Sequence, residues 1–180
     1  EDSVMKILVV GGGGREHAIV KKLKESPKHP TLYCCPGNGG IAEDAECSNI
    51  RATDIDTMVA YAKQREIDFV VVAPDDPLVL GMADAFEEAG FAVFGPRKNA
   101  AIIEGSKAFS KELMKKYHIP TAAYETFSDA DQAIAYVQAQ KRFPLVIKAD
   151  GLALGKGVVI AADQDEAIQA VRSMMLEGAF

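Results

Sequence analysis

The residues best suited to chemistry stand in glycine-rich turns with charged neighbours. In one of them, two β-rich runs, Leu145 to Ala149 and Gly157 to Ala162, flank a loop that carries Gly151, Gly155 and Gly157, with Lys148 at its entry and Lys156 near its exit. Glycine lets backbone N–H groups close over an anion, and lysine ammonium groups neutralise phosphate oxygens as point charges. A nucleoside triphosphate fits this combination. A lysine at the end of a buried strand also needs an anionic partner or solvent, because an unpaired buried ammonium is costly. The competing reading is an antiparallel hairpin with solvated lysines, since both residue types are common in turns. Three glycines make ordering of Asp150 to Gly157 entropically expensive, so the loop is expected to be mobile until nucleotide is bound.

Two further glycine turns follow strand-like runs near the amino end. Met5 to Val10 is apolar apart from Lys6 and passes into Gly11, Gly12, Gly13, Gly14, Arg15, Glu16 and His17, with a helical pattern from Ala18 to Lys24. A buried strand feeding a helix places free N–H groups and the positive helix end at the glycines, a candidate phosphate site. The dinucleotide fingerprint asks for G-x-G-x-x-G. Counted from Gly11 the third glycine position is Glu16, and counted from Gly12 it is His17. Thr31 to Cys35 then runs into Pro36, Gly37, Asn38, Gly39 and Gly40, where a dinucleotide enzyme would carry an acid for the ribose hydroxyls. Binding of a nicotinamide dinucleotide is therefore disfavoured. A third apolar run, Asp68 to Ala73, delivers Pro74, Asp75, Asp76 and Pro77 to the carboxyl edge of the same sheet. These carboxylates could hold a metal or sugar hydroxyls, and Asp76 is better read as a helix cap.

The elements that must position these turns alternate. A helix capped by Asp54 runs to about Arg65, another spans Leu78 to Ala89 before Gly90, and Phe91 to Phe94 makes a fourth strand, which together indicate a doubly wound parallel α/β sheet. From Asn99 the pattern changes. Helical stretches at Asn99 to Ile103 and Ser106 to Tyr117 follow each other without a strand, and Ile119, Pro120 and Thr121 interrupt them. A strand around Ala122 to Phe127, a helix from Ser128 with a capping pattern through Asp131, the lysine hairpin, and a last helix capped by Asp163 with Glu166 three residues on complete the chain.

Composition sets limits. Of 180 residues, 48% are hydrophobic and 26% charged, the balance of a folded soluble domain. A net charge of −6 argues against a nucleic-acid surface, which needs clustered basic residues. No apolar run is long enough for a bilayer span, so no membrane partner is expected and a cytoplasmic location is the default. Cys34, Cys35 and Cys47 match neither a disulfide framework nor a metal spacing and read as small buried thiols.

The stretches VVGGGGREHA, PGNGG, APDDPL, FGPRKNAAIIEGSKAFSKELMKKYHIPTA and PLVIKADGLALGKGVVIA, in this order and spacing, resemble the amino-terminal part of the glycinamide ribonucleotide synthetase family of the ATP-grasp superfamily. The resemblance covers Met5 to Phe180. It implies a doubly wound pre-ATP-grasp substrate domain (residues 5–105), a linker helix (106–120) and the small α+β lobe of an ATP-grasp fold (121–180), truncated before the second large lobe. It further implies an ATP-dependent ligase joining glycine to phosphoribosylamine through glycyl phosphate, in purine biosynthesis, with ATP and Mg2+ or Mn2+. Matched residue by residue, Gly11, Gly12, Gly13, Gly14, Asn38, Gly39 and Gly40 fall on loops for the substrate 5-phosphate and ribose, with Pro74 and Asp75 near the ribose hydroxyls. The family turn reads Gly-Pro-Glu-Ala-Pro-Leu, so Ala73 and the shorter Asp75 are departures. Lys107, Lys148, Gly151, Leu152, Ala153, Gly155, Lys156 and Gly157 fall at the ATP phosphates. Catalytic and metal-binding residues are expected beyond Phe180, and a chain of this extent is expected to be inactive alone. The alternatives are another ATP-grasp carboxylate-amine ligase, of the biotin carboxylase or aminoimidazole ribonucleotide carboxylase branch, and a non-catalytic nucleotide-binding α/β module.

Overall fold

A computed structural model describes residues 4–152 and 157–178, and the chain divides into two compact units, residues 1–102 and 103–180. In the first, strands β1 (Lys6–Gly11), β2 (Thr31–Pro36), β3 (Glu46–Cys47), β4 (Phe69–Val72) and β5 (Ala92–Phe94) form a five-stranded sheet in the order β3-β2-β1-β4-β5. Every pairing is parallel, with Val9 opposite both Cys34 and Val71. Helices α1 (Gly14–Lys24), α2 (Ile55–Arg65), α3 (Asp75–Leu80) and α4 (Met82–Glu88) supply the connections.

Both faces of the sheet are covered. Ile7 and Val9 pack with Val20 of α1, Leu32 and Ile41 on one side, while Leu8 and Val10 pack with Met58, Ala62, Met82 and Phe86 on the other. This is why the β1 run shows no polar alternation: a parallel strand between two helical layers buries side chains in both directions. Each fully buried Leu, Met or Phe contributes about 1.5–3 kcal/mol by leaving water. The chain reverses direction across the sheet at β1, which lies between β2 and β4. The crevice outside the carboxyl ends of such strands is where open α/β sheets bind ligands.

Several local expectations need correction. The helix expected over Leu78 to Ala89 is two helices, because Gly81 takes φ 97°, a left-handed conformation that ends α3 and starts α4. Asp76 does not cap: α3 begins at Asp75, with Pro74 in the cap position and both acids in the first turn. There their charge favours the positive end of the helix dipole.

Helix α5 (Lys98–Gly105) leads into the second unit, which holds α6 (Lys107–Lys116), α7 (Ala130–Ala139), α8 (Gln164–Met175) and an antiparallel hairpin of β6 (Leu145–Lys148) and β7 (Val158–Ala161). Leu145, Ile147 and Ala161 face a core built with Ala133 and Val137 of α7 and Ala167 and Val171 of α8. The opposite face of the hairpin, Val146, Lys148, Val158 and Ile160, is exposed. The strand expected around Ala122 to Phe127 is irregular backbone. No described strand pairs with it, and a lone strand has no stabilising partner. Lys111 instead holds this segment, donating to Thr121 Oγ1 at 2.7 Å and to the Ala122 carbonyl at 3.0 Å. Asp129, not Ser128, caps α7, accepting from the Gln132 N–H at 2.9 Å. Asp163 caps α8 as the spacing indicates, and Glu166 reaches back to the Ala162 N–H at 2.7 Å.

Candidate substrate and nucleotide sites

At the carboxyl edge of the first unit, the turns after β1 and β2 are joined. The Gly37 N–H donates to the Gly11 carbonyl at 3.0 Å, and Asn38 Nδ2 donates to the Gly12 carbonyl at 2.9 Å. Asn38 Oδ1 in turn accepts from the N–H groups of Gly40 and Ile41, each at 2.9 Å. Asn38 is thus a strut between the loops, with its amide committed to backbone. The approach is so close that a Cβ added at Gly12 would lie 2.6 Å from the Gly37 carbonyl oxygen. A Cβ at Gly40 would lie 2.7 Å from His17 Cε1, whereas one at Gly14 or Gly39 meets nothing within 4 Å. The first two glycines are required by the protein's own packing, and the last two border open space.

From the turn after β4, Asp75 Oδ1 accepts from Arg15 Nη2 at 3.0 Å. Residue-type reasoning singled out Asp75 and missed Arg15, whose position beside an acid 60 residues away has no local signature. A second omission is Glu16. Glu16 is 4% exposed and its Oε2 accepts the Gly13 N–H at 2.6 Å. The Gly13 donor therefore points inward and is not offered to a ligand. The only signal for this was that Glu16 stands where a dinucleotide fingerprint would place its third glycine.

Beneath these turns lie two thiols. Cys34 Sγ donates to the Gly11 carbonyl at 3.3 Å. Burial pushes the Cys34 thiol up to about 12 and the Cys35 thiol up to about 11. Both stay protonated and unreactive, as structural cysteines do.

In the second unit, Lys107 and the hairpin loop converge through Asp150. Its carboxylate accepts from Ser106 Oγ at 3.0 Å and from the Ala108 N–H at 3.2 Å, at the amino end of α6. Lys107 Nζ donates to the Gly151 carbonyl at 2.5 Å. Lys148 lies opposite Val158 on the exposed face of the hairpin, so it is not the end of a buried strand. Gly151, Leu152 and Gly157 are described; Ala153, Gly155 and Lys156, and with them half of the loop from Asp150 to Gly157 expected to order on nucleotide, lie outside the described residues. Partial burial alone would raise the Asp150 pKa. Hydrogen bonds from Ala108, Ser106, Gly151 and Lys107 outweigh it and hold the carboxyl below its ordinary value. A lowered folded pKa gives stability that is present above the ordinary carboxylate range and is lost as pH falls through the folded value. Asp150→Ala is expected to cost about 1 kcal/mol, the size of a lost helix cap. In thermal melts the gap from the parent protein should close on acidification; a gap independent of pH would remove the charge from this account.

Among the described residues, no group of three or more His, Cys, Asp or Glu side chains is gathered as a metal site. No helix among them is long and apolar enough to cross a membrane.

Residues 5–104 match the family model described as phosphoribosylglycinamide synthetase, N domain, and residues 105–180 match that of its ATP-grasp (A) domain. The chain belongs to the phosphoribosylglycinamide synthetase family. It is 52% identical over 177 residues to the phosphoribosylamine-glycine ligase of Listeria innocua, covering 98% of this chain and 42% of that protein. To the Pasteurella multocida phosphoribosylamine-glycine ligase it is 47% identical over 178 residues, covering 98% of this chain and 41% of the relative. It therefore spans about two fifths of the length of these relatives of the synthetase family. The crystal structure of the Thermotoga maritima phosphoribosylamine-glycine ligase superposes with a TM-score of 0.75 at 28% identity, over 97% of this chain and 41% of that one. The biotin carboxylase domain of Hydrogenobacter thermophilus 2-oxoglutarate carboxylase gives 0.71 at 18% identity, over 98% and 43%. At that identity the likeness extends the fold, and only the fold, beyond the synthetase family.

Proposed function

We propose that this chain supplies the substrate loops and part of the nucleotide site of an ATP-dependent ligase that joins glycine to phosphoribosylamine, releasing ADP and phosphate. The observation that carries the reading is the gathering of three turns, Gly11 to Gly14, Pro36 to Gly40 and Pro74 to Asp75, at one sheet edge, in a chain of the phosphoribosylglycinamide synthetase family. The Gly14 N–H opens α1 at the positive end of the helix, which favours an anion. This suits a substrate 5-phosphate beside Gly14 and Gly39, with the ribose hydroxyls toward Asp75.

Lys107, Lys148 and the hairpin loop hold the ATP phosphates. A glycine carboxylate oxygen attacks the γ-phosphorus and the bond to the ADP oxygen breaks, giving glycyl phosphate. The amine of phosphoribosylamine then attacks the acyl carbon, loses a proton, and phosphate leaves with that carboxylate oxygen. The lysines contribute by neutralising charge that builds on the phosphoryl oxygens, and the loops by alignment. Mg2+ or Mn2+ is the metal of this reading, and the described residues offer no ligand set for it. The reaction places the protein in purine biosynthesis, in the cytoplasm, acting on small molecules without nucleic-acid or membrane partners. Thermal melting with ribose 5-phosphate, ATP and NADH side by side tests the reading. Ribose 5-phosphate should raise the melting temperature and NADH should not; stabilisation by NADH alone would overturn it.

A further inference from the structure

Glu16 is a buried carboxylate that the proposed reaction does not use. Its Oε2 accepts the Gly13 N–H at 2.6 Å, while Oε1 is buried with no hydrogen-bond partner among the described residues and lies 3.8 Å from Arg15 Nε. Burying a carboxylate is costly unless it is paired and hydrogen-bonded, and here the compensation comes from Arg15 and from the Gly13 N–H of the turn itself. The peptide unit between Gly12 and Gly13 is held at both of its polar ends: its carbonyl accepts from Asn38 Nδ2 and its N–H donates to Glu16. Carbonyl and N–H of a planar trans peptide point in opposite directions, so these two bonds together prevent the unit from flipping. The carboxylate also fills the space beneath the turn. A Cβ added at Gly11 would lie 2.5 Å from Glu16 Cγ, and one at Gly13 would lie 2.9 Å from Oε2.

We propose that Glu16 is a positioning residue for the substrate phosphate: it locks the Gly12–Gly13 peptide before ligand arrives, so that the following N–H groups of α1 already face the anion. A glycine turn without such a lock samples many backbone states and must lose that entropy on binding. Preorganisation removes that cost from the binding step. The inference rests on the reading of this edge as the ribose-phosphate site.

The test uses the 180-residue chain, ribose 5-phosphate as probe, and the variants Glu16→Ala and Glu16→Gln. Gly13 is exposed, so slow exchange of its amide hydrogen reports the bond to Glu16. Glu16→Ala should speed that exchange and weaken ribose 5-phosphate by about tenfold, the effect of one lost hydrogen bond to a charged group. Glu16→Gln keeps one side-chain carbonyl oxygen that can accept the Gly13 N–H and should restore both to near the parent values, a rescue that simple loss of core packing would not produce. Glu16→Ala with unchanged affinity, or Glu16→Gln as weak as Glu16→Ala despite a slow Gly13 amide, would overturn the proposal. If the parent chain bound no ribose 5-phosphate, the site reading would fail, and the substrate role of Glu16 with it. Gly13 exchange would still show whether the lock exists, which separates the two failures.

Discussion

Replacing Lys148 with Met in a full-length protein carrying this chain should lower ATP turnover about 10²–10³-fold, the usual effect of deleting one group that stabilises transition-state charge. Stability should change by no more than about 0.5 kcal/mol, the range for surface substitutions. The asymmetry follows from where the side chain sits. Lys148 projects from the exposed face of β6 opposite Val158, and among the described residues nothing pairs with its ammonium. Its removal therefore leaves no buried partner unsatisfied and opens no cavity. If the charge were merely solvated, turnover would be near normal. Steady-state ADP release and thermal melting of the same variant decide between these, and near-normal turnover would make Lys148 a surface lysine.

The glycines of the sheet edge should separate into two groups. Gly12→Ala forces a methyl group to 2.6 Å from the Gly37 carbonyl oxygen, and backbone cannot move aside as a side-chain end can. The expected cost is about 1–3 kcal/mol of stability, as for overpacking, with loss of ribose 5-phosphate binding as the loops part. Gly14→Ala and Gly39→Ala meet no protein atom within 4 Å. They should leave the melting temperature unchanged or slightly raised, because alanine reduces the freedom of the unfolded chain. If the substrate phosphate lies against these two positions, affinity should nevertheless fall by about tenfold or more as the methyl groups displace it. Calorimetric titration alongside melting reads both quantities. Undiminished affinity in Gly14→Ala and Gly39→Ala would move the ligand elsewhere.

Much of the fold could be read from the chain because its signals are local. An apolar run such as Ile7 to Val10 can be buried on both faces only between two helical layers, and the glycine turns after β1 and β2 mark the edge where loops gather. The structure departs from the sequence pattern where a local signal has two readings. Gly81 sits inside a helical pattern, and only its positive φ shows that it separates two helices. Ala122 to Phe127 has strand-like residues, but pairing depends on a neighbour that sequence cannot supply. The glycine turns and Asp75 stand out as candidates by type and spacing. The residues that hold them, Arg15, Glu16 and Asp150, do not, since each acts through a contact that only the folded backbone creates. Asn38 was found for its position and turned out to serve as the link between loops, its amide committed to Gly12, Gly40 and Ile41.

In the proposed reaction ATP activates the glycine carboxylate before the amide forms. Glycine labelled with heavy oxygen in both carboxylate positions, incubated with ATP, phosphoribosylamine and the full-length protein, tests it by mass analysis of the released phosphate. Attack of the carboxylate on the γ-phosphorus predicts one heavy oxygen in each phosphate, left behind when the amine takes the acyl carbon. Phosphate carrying no label, formed while the amide accumulates, would contradict the account.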